Sequence, residues 1–209
     1  MIFHHESVLL QKGYERLHCV NLKSSNQHRA IFSTIAGALI VSCYAPGVFR
    51  FHIGGHQPQP DYGILAREGG EHKITVQTID GGYRVQSEDT TLEILSNPLR
   101  IRFLQGEKCL LQSAGDRTIQ GLLRFSPFAK GKASWLIALD LKNEEPVYGL
   151  GEKWASLNRR GQLIHSWNED ATTVNSELSY KNTPFAWSPE GWGLFVHTPS
   201  KVTHGVGYP

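Results

Sequence analysis

The feature that most constrains this chain is a period-two alternation of apolar and polar residues, interrupted by turn-forming residues. Leu99, Ile101 and Phe103 alternate with Arg100 and Arg102, the pattern of a strand with one buried face. Leu92 and Ile94 lie in a similar run upstream, and Asn97-Pro98 supplies the turn between the two runs. Residues 73–79 and 83–87 flank Asp80-Gly81-Gly82, while residues 38–44 and 48–53 flank Ala45-Pro46-Gly47. Both insertions have the composition of tight turns. Residues 135–141 and 192–197 are two more β-rich stretches. No stretch keeps a helical period, and residues 11–20 fit a short helix or an edge strand equally well. Short strands with turn signals roughly every ten residues predict an all-β fold, an antiparallel β-sandwich, rather than βαβ units.

Composition narrows the function classes. The 209 residues suffice for one large all-β domain or two small ones. Apolar residues make up 40% and charged residues 19%, so the chain is globular rather than disordered. With 21 basic against 19 acidic residues there is no basic stripe for nucleic acid. The one adjacent pair of note, Arg159-Arg160, reads as part of a solvated loop.

Cys19, Cys43 and Cys109 form no CxxC pair, which leaves a zinc site, a thioredoxin-like motif and a disulfide scaffold without support. The histidines are scattered. His4-His5 reads as a solvated terminal feature, and Gly54-Gly55 between His52 and His56 opposes the helix that would bring those two to one face. No metal site is expected from these residues. The apolar run around residues 36–41 is too short to cross a bilayer. The first residues carry no signal-peptide pattern, and the chain has no Asn-x-Ser/Thr sequon. A soluble, reducing, cytoplasmic setting is the default expectation. The last residues, Val206-Gly207-Tyr208-Pro209, follow directly on a strand pattern, and the natural chain is expected to continue beyond them.

Two segments break the strand rhythm: the Gly- and Pro-rich residues 54–60, and the polar residues 168–182. Loops on a rigid β scaffold are where binding groups concentrate, so the second is the better candidate, although its composition by itself favours a plain solvent-exposed loop. Tyr148-Gly149-Leu150-Gly151-Glu152 is a glycine-containing turn. It lacks the GKS or GKT of a phosphate loop, and its two glycines permit positive φ, a close backbone approach or a β-bulge. Trp167-Asn168-Glu169-Asp170-Ala171-Thr172-Thr173 puts a flat aromatic, carboxylates and hydroxyls within seven residues. Sugars are held by that combination, an aromatic face against ring C–H groups and carboxylates accepting from paired hydroxyls.

The ordered set Tyr148-Gly-Leu-Gly-Glu152, Trp167-Asn-x-Asp170, Tyr180-Lys-Asn-x-Pro184-Phe185 and Gly191-Trp-Gly193 resembles the N-terminal domain of glycoside hydrolase family 31. The likeness is to the bacterial α-glucosidase and α-xylosidase branch. It is strongest over residues 147–206 and extends more weakly back to Val41, through Asp89-Thr-Thr-Leu-Glu-Ile and Pro98-Leu-Arg-Ile-Arg-Phe103.

The resemblance implies a galactose-mutarotase-like sandwich over residues 1–209, packed in the parent enzyme against a (β/α)8 barrel. It also implies that a loop of this domain reaches the barrel mouth and binds substrate hydroxyls. By motif position that binding group is Asp170, with Thr172 as a second contact, and Trp167 packs under the loop. The implied partners are an α-glucoside or α-xyloside oligosaccharide and the C-terminal barrel of the same chain. The family's Trp-x-Asp-x-Asn-Glu-like nucleophile motif is absent from these residues, and a barrel alone takes about 250 residues. This stretch by itself is therefore expected to be non-catalytic. A barrel-facing apolar surface is expected near Trp154, Phe185 and Trp187. The competing readings are a free-standing carbohydrate-binding sandwich and an aldose mutarotase, though no mutarotase motif surrounds the histidines.

Overall fold

The computed structural model describes residues 14–18, 20–54, 62–65, 72–115, 117–119, 123–170 and 178–208, with residues 117–119 and 123–125 as backbone only. The chain divides into two compact units. The first comprises Met1–Asp61 and Leu65–Asp140, the second Tyr62–Ile64 and Leu141–Pro209. Every described element is a strand or a turn, so no described helix could cross a membrane.

The first unit is a β-sandwich. Its larger strands are β2 (Asn21–Ser25), β3 (Arg29–Thr34), β4 (Gly37–Ala45) and β5 (Val48–Ile53), then β6 (Thr75–Ile79), β7 (Gly82–Ser87), β8 (Thr90–Ser96), β9 (Leu99–Gln105) and β10 (Lys108–Gln112). Strands β2 to β5 form one antiparallel meander, and β6 to β10 form a second. Shorter pieces are β1 (Glu15–Arg16), β11 (Arg117–Ile119), β12 (Leu123–Phe125), β13 (Phe128–Lys130) and β14 (Trp135–Ile137). Of these, β1, β13 and β14 make a three-stranded sheet, and β11 pairs with β12. The undecided residues 11–20 thus supply a two-residue strand, β1, which pairs with β13.

Local chemistry explains the turns. The Asn26 side chain accepts from the backbone N–H of His28 and of Arg29, both at 2.9 Å, closing the turn between β2 and β3. The Asp80-Gly81 and Pro46-Gly47 turns fall where the sequence puts them, joining β6 to β7 and β4 to β5. The expected loop 54–60 is described only at Gly54; residues 55–60, His56 among them, lie outside the described residues.

The core sits between the two meanders. Phe32, Leu39 and Val41 from one face meet Val85, Leu92, Ile94 and Leu99 from the other, with Leu17, Val20 and Phe128 in the same cluster. Strand β8 is central and buries residues on both of its faces. Glu93 therefore turns its carboxylate into a half-shielded row. In register with it stand Arg84 on β7 and Arg102 on β9. Arg84 donates to one carboxylate oxygen at 2.8 Å and Arg102 to the other at 2.9 Å. Both oxygens of a buried acid are thus met by a cation, the condition under which burying such a group is tolerated.

The described residues of the second unit form five strands: β15 (Tyr148–Gly149), β16 (Gln162–Ser166), β17 (Phe185–Ser188), β18 (Trp192–Phe195) and β19 (Val202–Val206). Order β15-β17-β18 makes one antiparallel sheet, and β16 pairs with β19 along five residues. Trp192 is buried, and its indole N–H donates to Glu145 at 2.6 Å. The other Glu145 oxygen accepts from the backbone N–H of Lys142 at 3.0 Å. That pair ties the start of this unit to its β17–β18 hairpin.

Candidate functional site

The polar loop of the second unit is built from its neck outward. Gly149, Leu150 and Gly151 all have positive φ, at 98°, 63° and 82°, so the turn coils sharply straight after β15. Leu150 N–H donates to the Phe185 carbonyl at 2.8 Å, and Glu152 N–H to that of Lys181 at 3.0 Å. The turn therefore lies backbone against backbone on residues 181–185. A Cβ on Gly151 would sit 2.7 Å from the Asn182 Cα and 2.7 Å from the Lys181 oxygen, which only glycine avoids.

Arg159 fixes the other side of that turn. It is only 3% exposed, and its guanidinium donates to the carbonyls of Gly149, Ser156 and Gly151, each at 3.0 Å. Its own N–H bonds the Val147 carbonyl at 2.7 Å. Burial pushes the guanidinium pKa below its usual value. The reading of Arg159-Arg160 as a solvated pair is corrected here. Arg160 also bonds inward, to the carbonyls of Lys142 and Glu145 at 3.1 and 3.2 Å. Both side chains staple this part of the chain by donating to backbone carbonyls.

The loop neck is closed by Asn168, Ser179 and Asn182. Asn168 and Ser179 form an isolated parallel bridge, and Glu169 N–H donates to the Ser179 carbonyl at 3.0 Å. The Asn182 amide nitrogen faces the carbonyls of Trp167 and Ser179, both at 2.7 Å, and the Asn168 side-chain oxygen at 3.1 Å, three acceptors for its two N–H bonds. Just beyond the neck stands Asp170, exposed to solvent. Thr172, expected beside it, lies outside the described residues. Trp167 is 46% exposed. It lines a cleft of about 370 Å³ shared with Asn168, Asn182, Thr183, Phe195 and Thr198. A cleft of that volume is within the range of small-ligand sites, and it combines an aromatic wall with amide and hydroxyl groups.

Other exposed aromatics lie in the same unit. Trp154 is 74% exposed, and Phe185 and Trp187 are exposed at alternate positions of β17, while Ala186 and Ser188 are buried. The Trp187 ring also packs on Tyr148, at 5.0 Å between centroids. Among the described residues no three His, Cys, Asp or Glu side chains gather into one group.

His204, on β19, accepts from or donates to the Ser166 hydroxyl at 3.2 Å. Burial, reinforced by neighbouring His165, pushes its imidazole pKa from 6.5 down to about 4. The unfolded chain thus takes up that proton more readily than the folded one, so stability is full above pH 6.5 and declines as pH falls toward 4. Thermal melts of the chain between pH 7 and 4 should show that decline, and His204→Gln should flatten it. Equal slopes for the two proteins would contradict the assignment.

Against this geometry, the sequence matches the glycosyl hydrolase 31 N-terminal galactose mutarotase-like domain over residues 38–204. The chain belongs to that family. Two curated relatives are α-xylosidases, one from Emericella nidulans at 48% identity over 68 residues and one from Lactiplantibacillus pentosus at 39% over 69. Each match covers about a third of this chain and 9% of the relative. Among solved structures, the Flavobacterium johnsoniae family 31 dextranase in complex with glucose superposes with a TM-score of 0.72 at 20% identity, covering 92% of this chain and 23% of that one. A family 31 α-xylosidase from a soil metagenome, in complex with xylose, gives 0.63 at 13% identity over 88% of this chain and 29% of the other. These likenesses establish the fold: an all-β sandwich of the family's N-terminal domain.

Proposed function

We propose that these 209 residues are the non-catalytic N-terminal module of a retaining α-glycosidase, an α-xylosidase or α-glucosidase, and that they lend the Asp170 loop to its sugar pocket. The observation that carries this reading is the placement of Asp170. An exposed carboxylate stands two residues beyond Asn168, in a neck held by four side-chain hydrogen bonds of Asn182 and Asn168, and Asn168 itself lines the cleft walled by Trp167. A carboxylate so held can accept from two neighbouring sugar hydroxyls while the aromatic face takes the ring. The α-xylosidase relatives favour an α-xyloside over an α-glucoside as substrate.

The chemistry itself belongs to residues elsewhere. A retaining enzyme needs a nucleophile and an acid/base about 5–5.5 Å apart, which form and break a covalent glycosyl intermediate. In this reading both carboxyl groups stand on a C-terminal barrel, and exposed Trp154, Phe185 and Trp187 belong to the surface that meets it. Asp170 and Thr172 bind, no cofactor takes part, and the enzyme works in the cytoplasm on oligosaccharides.

The test compares this chain with the same chain extended through its catalytic portion, on p-nitrophenyl α-xyloside and α-glucoside. The short chain should release no nitrophenol. In the extended enzyme Asp170→Ala should lower kcat/KM about 10- to 100-fold, the worth of hydrogen bonds to a charged group. Turnover by the short chain, or an unaffected Asp170→Ala enzyme, would sink the reading.

A further inference from the structure

We propose that Asn182 is a positioning residue that locks the neck of the Asp170 loop, and that Arg159 and Gly151 hold Asn182 in place. The inference rests on the reading of Asp170 as a sugar-binding group, and it concerns what sets that group's position.

The neck has little secondary structure to keep it closed. Between Trp167 and Ser179 the described ladder is one isolated bridge, Asn168 to Ser179. Asn182 supplies what the ladder lacks. Its Nδ2 faces three acceptors, the carbonyls of Trp167 and Ser179 at 2.7 Å and the Asn168 Oδ1 at 3.1 Å. Its Oδ1 accepts from the Ser179 hydroxyl at 3.1 Å. Its backbone N–H donates to Asn168 Oδ1 at 2.9 Å. One residue thus ties the outgoing strand of the loop at 167–168 to the returning strand at 179. The amide orientation is set by its surroundings: acceptors crowd the nitrogen and a hydroxyl meets the oxygen.

Asn182 is held from behind. Gly151 lets the turn approach so closely that the Asn182 Cα lies 2.7 Å from where a Cβ would stand. Arg159 fixes that turn through the Gly149 and Gly151 carbonyls. A buried guanidinium, a bare glycine and a side-chain amide thus form one relay that reaches Asn168, two residues before Asp170. A sequence needs an amide here, since an isosteric carboxylate would set oxygen against three acceptors with no N–H to share. Asn182 also lines the cleft beside Trp167, so its action through Asp170 is separated from its own place in the cleft by the double variant below.

Two variants test this, Asn182→Asp, which keeps the shape, and Asn168→Ala, on an exposed residue. In the 209-residue chain, hydrogen exchange should quicken at least about tenfold at Glu169 and Asn182 in both variants, while the strands of the sandwich core keep their rates. Unchanged exchange would overturn the lock. In the extended enzyme, Asn182→Asp should lower kcat/KM by about 10- to 100-fold, as displacement of a binding group does.

The decisive comparison is the same substitution in an Asp170→Ala background. If Asn182 acts through Asp170, no further loss follows. A multiplied loss would show a general structural role and overturn the proposal. Should Asp170→Ala prove silent, the sugar-binding reading fails on its own, and hydrogen exchange still judges the lock.

Discussion

Phe32→Ala is expected to remove about 3–5 kcal/mol of stability, the usual cost of emptying a fully buried aromatic site. Phe32 is 0% exposed and lies on β3, opposite Leu39 of β4. Its ring meets Tyr83 of the other meander at 5.1 Å between centroids. Tyr83 in turn uses its hydroxyl to accept from the Leu22 backbone N–H at 3.1 Å. The Phe32 ring therefore supports a contact that crosses the sandwich, and its loss leaves a cavity between two sheets whose backbones cannot close on it. Against a total stability of about 5–15 kcal/mol, that loss is a large share. Urea unfolding should show a lower midpoint with an unchanged slope. Phe32→Leu, which refills most of the space, should cost about 1–2 kcal/mol. A loss below about 1 kcal/mol for the alanine variant would mean that the two sheets do not share this core.

The meanders were legible because their signals are local. Asp80-Gly81, Pro46-Gly47 and Asn97-Pro98 each place a reversal between two apolar runs, and the strands β4 to β9 lie where those runs do. Glu93 was not legible as a buried group. Alternation assigns it to the wet face with Arg84 and Arg102, whereas the central position of β8 shields that face and turns the three charges into mutual partners. Period-two patterning knows about one neighbour layer, and a strand's rank within its sheet is a long-range property.

The site was half legible for the same reason. The two glycines of Tyr148-Gly-Leu-Gly-Glu152 announced a positive-φ turn, and the polar residues after Trp167 announced a loop. Arg159 gave no such signal. Its burial depends on carbonyls eight and ten residues back that the turn itself exposes, so no spacing rule points to it. The role of Asn182 likewise exists only once residues 167, 168 and 179 have been folded against it. What a reader of sequence can use is the company it keeps: a lone amide after a polar loop and just before Pro184-Phe185.

The turn makes one further demand, and two glycines of the second unit separate its causes. Gly149 and Gly161 both have positive φ, 98° and 79°. Around Gly161 a Cβ would meet nothing within 4 Å, so alanine there pays only for the left-handed backbone, about 1–2 kcal/mol. At Gly149 the added Cβ would overlap the carbonyl oxygen of Phe185. That oxygen accepts the Leu150 N–H at 2.8 Å, and Phe185 belongs to the strand that pairs with β15. Relief requires β17 to move away from the turn, which breaks that hydrogen bond and adds about 1–3 kcal/mol of packing strain. Gly149→Ala should therefore cost about 2–5 kcal/mol in denaturant unfolding, and clearly more than Gly161→Ala. Equal losses would mean that backbone conformation alone decides this turn and that the close approach to β17 can relax at no cost. In that case the backbone seat on which residues 181–185 rest would be soft, and the position of the loop that follows Trp167 would have to be set from the Asn168 side of the neck.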